Sequence, residues 1–163
     1  MNDKRQKMTR RRRGTTLLEV LFAIFVVAMC ATVLAAATPT ASLSRYKAQM
    51  MNKAAGIAQK ELEAIRTQGF TNVDPTDLAN AGLIDGTNPV SGGNTYTFNN
   101  TDAQVKDNPS SDLPHGSGTV TINSVNSGLV QVTVTVSWEE RTMPAGGAMV
   151  TRSVTVGTLI ANV

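Results

Sequence analysis

Apolar residues follow three patterns along the chain. Residues 17–37 form one apolar run in which Glu19 is the only charged side chain. At the α-helical rise per residue, that run reaches roughly 30 Å, the thickness of a bilayer core. A second pattern follows Pro39. Leu43, Tyr46, Met50, Ala54, Ile57, Ala58, Leu62 and Ile65 recur at steps of three and four. Arg45, Lys47, Asn52, Lys53, Gln59, Lys60, Glu61, Glu63 and Arg66 fall on the remaining surface. This spacing predicts an amphipathic helix over residues 39–69, with Arg66 in its last turn and Gly69 at its C-terminal cap. Pro39, which removes a backbone donor, predicts a kink between the two helical patterns. Met50 and Met51 read as packing residues.

The third pattern is alternation. Residues 118–125 place Val120 and Ile122 on one face. Residues 129–138 place Val130, Val132, Val134, Val136 and Trp138 on one face, and Gln131, Thr133, Thr135 and Ser137 on the other. Residues 149–160 alternate again, with Val150, Val154 and Val156 inward. Period-two patterning of this kind predicts half-buried antiparallel strands. A short strand is expected over residues 94–99, centred on Tyr96 and Phe98, and a turn over residues 123–128. Residues 70–94 and 100–117 read as loop, with one turn of helix near residues 76–81 capped by Thr76 and Asp77. Residues 139–148 read as a linker. The predicted fold class is α+β: a long N-terminal helix packed on an antiparallel sheet of about four strands.

Charge changes the picture at the N-terminus. The chain of 163 residues has a formal net charge of +3. Residues 1–14 carry Lys4, Arg5, Lys7, Arg10, Arg11, Arg12 and Arg13 against Asp3, a net of +6. The remainder is net −3. A basic leader before an apolar span keeps that end cytoplasmic and sends the rest outward. Beyond residue 66 only Lys106, Arg141 and Arg152 are basic, so no nucleic-acid partner is expected despite the basic total. Two simpler readings of the apolar run compete: a secretory signal peptide cut near Ala35, Ala36 and Ala37, and an uncleaved signal anchor. Glu19 weighs against both, because a carboxylate inside an apolar span needs a partner. Cleavage after Gly14 would supply one. The amine of Thr15 would then lie one helical turn before Glu19, close enough for mutual neutralisation.

The run RRGTTLLEVL, residues 12–21, resembles the cleavage and methylation motif of type IV prepilins and type II secretion pseudopilins. In that family a short basic leader ends in Gly. A prepilin peptidase cuts after it and methylates the new N-terminal residue, and a Glu at the fifth mature position serves assembly. The resemblance implies cleavage after Gly14, methylation of Thr15 and an assembly role for Glu19. Thr15 departs from the usual Phe. The implied fold is pilin-like, and the stretch 58–66 is similar to minor pilins and minor pseudopilins.

The implied organisation is a cleaved leader over residues 1–14, a transmembrane and filament-core helix over 15–38, its amphipathic continuation over 39–69 and a head over 70–163. The implied function is a minor structural subunit of a type IV pilus or type II secretion pseudopilus. Its partners would be the prepilin peptidase, other pilin or pseudopilin subunits, an inner-membrane assembly platform and the lipid bilayer. It would sit as a single-pass protein of the cytoplasmic membrane before entering a filament. An adhesin or DNA-uptake module on such a filament, and a plain membrane-anchored extracytoplasmic protein, are the alternatives.

Candidate chemistry is sparse. One cysteine, Cys30, excludes an intrachain disulfide and any multi-cysteine metal site; within the apolar run it reads as a buried packing thiol. His115, between Pro114 and Gly116, reads as a surface-loop residue. Asp102, Asp107 and Asp112 lack EF-hand spacing. No phosphate-binding glycine motif or nucleophile elbow is present, and neither a cofactor, a metal nor enzymatic activity is expected.

Overall fold

A computed structural model of the chain describes residues 16–101, 108–142 and 147–162, without the side chains of Pro39, Thr40 and Ser91. The chain divides into two compact units, one ending at Thr40 and the other Ala41–Val163. Helix α1 spans Leu17–Gln68. In the first unit every described side chain of residues 16–38 is exposed. Hydroxyls on this stretch turn back onto their own helix: Thr32 Oγ1 donates to the Met29 carbonyl at 2.8 Å, and Thr38 Oγ1 to the Leu34 carbonyl at 2.9 Å. That bonding removes their polarity from the helix surface. The helix continues through Pro39.

In the second unit α1 lies on one face of a four-stranded antiparallel sheet. The strands are β1 (Thr95–Thr97), β2 (Ser117–Asn126), β3 (Leu129–Arg141) and β4 (Met149–Ala161), in the spatial order β1-β2-β3-β4. Each strand pairs with its sequence neighbour, so no crossover is needed. The turn from β2 to β3 is the tight pair Ser127-Gly128, with Asn126 Oδ1 accepting from the Gly128 amide at 3.0 Å. A register shift between Ser124 and Asn126 precedes it.

The predicted faces are the observed ones on β3. Val130, Val132, Val134, Val136 and Trp138 are buried against Ala54, Ile57, Ala58 and Ile65 of α1, joined by Leu78, Leu83, Phe98, Val120 and Ile160. Val154 and Val156 of β4 are half-buried at the margin of that core. The opposite face is a ladder of hydroxyls. Thr97, Thr119, Thr135 and Thr155 stand in one register row. Cross-strand bonds link Thr95 to Thr121 (2.9 Å), Ser117 to Ser137 (2.7 Å) and Thr135 to Thr155 (3.0 Å). Such pairs satisfy polar side chains on a solvated sheet face.

α1 ends where expected. Gly69 adopts φ 77°, the left-handed conformation that closes a helix without a Cβ penalty. Several details depart from the sequence expectations. The second helix, α2 (Pro75–Asn80), is capped by Asp74, not by Thr76 and Asp77: Asp74 Oδ1 accepts from the Thr76 and Asp77 amides at 2.6 and 3.0 Å. Pro75 at the first helical position needs no amide partner, so the cap moves one residue upstream of it. A short helix α3 (Pro109–Asp112) forms inside the predicted 100–117 loop. β3 runs on to Arg141 through residues assigned to a linker. Met51 and Tyr46 are exposed, leaving Met50 as the methionine packed on the core. Cys30 is exposed, not buried.

Candidate functional site

The first candidate is the exposed stretch of α1. Among the described residues, α1 is the one helix long and apolar enough to cross a membrane. Leu17, Leu18, Leu21, Phe22, Ile24, Phe25 and Val27 are all largely exposed. A patch of this size is far larger than a water-exposed protein surface carries, and it requires lipid or protein cover. Glu19 lies in the first turn of this helix, where the free backbone amides favour an acid. Its own amide donates to the Thr16 carbonyl at 3.0 Å, and its side chain is exposed. Arg10, Arg11, Arg12, Arg13, Gly14 and Thr15 lie outside the described residues. Pro39 lies within the helix, but its side chain is not described.

The second candidate is where helix and sheet exchange charge. The apolar face of β3 stops at Trp138, and the next inward position is Glu140, which is 6% exposed. Lys47 of α1 approaches Glu140 Oε1 at 3.7 Å, and Arg152 of β4 donates through Nε to the same oxygen at 2.9 Å. A buried carboxylate with two cations on it joins three elements at one point. Lys47, Ala48, Met51, Trp138, Glu140, Arg152 and Ser153 line a shallow groove there. A second ion pair, Lys53 Nζ to Asp112 Oδ1 at 2.8 Å, holds α1 to α3. That pair also occupies the one member of the Asp102, Asp107 and Asp112 set that is described. His115 is exposed at φ 49°, on the loop between α3 and β2.

The third feature is a residue that the sequence pattern assigned to the polar surface. Glu61 is 0% exposed, and neither carboxyl oxygen has a hydrogen-bond partner. It sits four residues after Ile57 and four before Ile65, so helical geometry turns it into the core stripe. Placing each letter by angle, not by polarity, is the signal that finds it. Burial, helped by the nearby Asp85 carboxylate, pushes Glu61 up from 4.5 to about 8. Asp85 is fixed by backbone: its two oxygens accept from the Asn99 and Asn100 amides at 2.7 and 3.0 Å.

Among the described residues, no group of three or more His, Cys, Asp or Glu side chains is arranged to hold a metal ion. Comparison with protein-family models, curated proteins and solved structures found no match. What is known of the chain is its fold and its own residues. These give a long, partly apolar N-terminal helix whose second half packs on a small antiparallel sheet.

Proposed function

We propose that the chain is a membrane-stored structural subunit of a type IV pilus or type II secretion pseudopilus. The observation that carries this reading is the wholly exposed apolar stretch of α1 with one acid in its first turn. Lipid covers such a helix while the subunit is stored, and neighbouring helices cover it after assembly. The motif RRGTTLLEVL supplies the order of events: the basic leader holds the N-terminus in the cytoplasm, and a peptidase cuts after Gly14. Thr15 becomes the methylated N-terminus, and its amine pairs with Glu19, within a subunit or across to a neighbour. The compact head carries no assembled catalytic set among its described residues, which suits a structural role.

Assembly through Glu19 is tested by replacing it. Glu19→Ala should insert into the membrane as well as the parent chain and enter filaments several-fold less. Unchanged incorporation would reject the pairing.

A further inference from the structure

We propose that a proton held on Glu61 is a built-in component of the packed head, so that docking of α1 onto the sheet takes up one proton and a rise in pH loosens that docking. The position of Glu61 carries the inference. Its stripe-mates Ala54, Ile57, Ala58 and Ile65 are all buried against the sheet valines, so the carboxyl cannot reach solvent while the stripe is docked. Both of its oxygens lack a donor. An ionised carboxylate in that state bears a desolvation penalty with nothing to offset it, whereas the neutral acid does not.

Among the described residues, no cation is paired with Glu61. β1 and β2 contain no charged residue, and β3 has none before Glu139. Lys47 and Arg152 are committed to Glu140, and Lys53 is committed to Asp112. On α1 itself the neighbours Lys60 and Glu63 point to the exposed surface. α2 contributes an acid, Asp77, and the loop beyond it contributes Asp85, whose charge favours the protonated form of Glu61. Asp85 also ties its loop to β1, with its amide donating to the Thr97 carbonyl at 2.7 Å. Ionisation of Glu61 therefore sets two carboxylates against each other where helix, loop and sheet meet. The inference concerns the head alone and does not depend on the filament reading.

The test uses the full chain in detergent micelles. Its denaturant midpoint is followed from mildly acidic to mildly alkaline pH, beside Glu61→Gln, which keeps the shape of the neutral acid. The parent midpoint should fall steadily across the range, while that of Glu61→Gln stays level and exceeds the parent's at the alkaline end. Parallel curves for the two proteins would overturn the proposal. Infrared difference spectra near neutral pH give an independent reading. The folded parent should show a protonated-carboxyl band that Glu61→Gln lacks, and absence of that band in the parent would overturn the proposal as well.

Discussion

Glu140 and Glu61 are carboxyls buried on the same helix-covered face of the sheet, and they meet burial in opposite ways. Glu140 stands at the margin, where Lys47 and Arg152 reach one of its oxygens. Glu61 stands inside, paired with no cation among the described residues, and it keeps its proton. Unfolded, Glu61 ionises near 4.5; folded, it holds its proton to about 8. The contribution of Glu61 to stability is therefore full below the lower value and is lost as pH rises between the two. The slope is about 1.4 kcal/mol per pH unit within that window. Urea titrations of the parent at several pH values check this slope. Glycine 118 is a second residue-scale constraint. A Cβ there would come within 2.5 Å of Phe98 Cζ, so the absent side chain makes room for the buried ring. Gly118→Ala should lower stability by about 1–3 kcal/mol, the usual cost of overpacking, as read by a denaturant midpoint.

At the scale of elements, the helix and the strands each present one apolar face, and the two faces meet in a single core. Ile57 is 1% exposed at the middle of that contact. Ile57→Ala should cost about 2–5 kcal/mol by deletion of buried carbon and the cavity left behind. Met51→Ala, on the exposed side of the same helix, should cost less than about 0.5 kcal/mol. Thermal melts of the pair would check that contrast. Asp74→Ala should cost about 1 kcal/mol through loss of the α2 cap.

The elements were legible in the sequence where one periodicity ran unbroken. Val130 to Trp138 predicts β3 and its inward face, and the stripe from Ala54 to Ile65 predicts the docked part of α1. What escaped was a matter of position, not of letters. Glu61 is polar, yet it falls at an inward angle. Glu140 continues the inward register of β3 into residues that composition marks as a linker. Asp74 caps α2 because Pro75 takes the first helical position. The short helix α3 has too few residues to show a period. Of the candidate site, the apolar run and Glu19 could be read directly, whereas the Lys47–Glu140–Arg152 contact joins three elements distant in sequence and shows only in the fold.

For the whole molecule, the two units pose different physical problems. The Ala41–Val163 unit buries its own apolar faces, while the helix of the preceding unit exposes every described side chain over residues 16–38. The first has a packed core of its own; the second presents an apolar surface that calls for cover. On the filament reading proposed above, that need is met twice, in lipid and then among neighbouring helices, with the basic leader removed between the two. Edman sequencing or mass spectrometry of the N-terminal peptide from protein matured in its host tests this most directly. The account predicts a chain that begins at Thr15 and carries an added methyl group. A chain that begins near Thr38, or one that retains its basic leader, would contradict it.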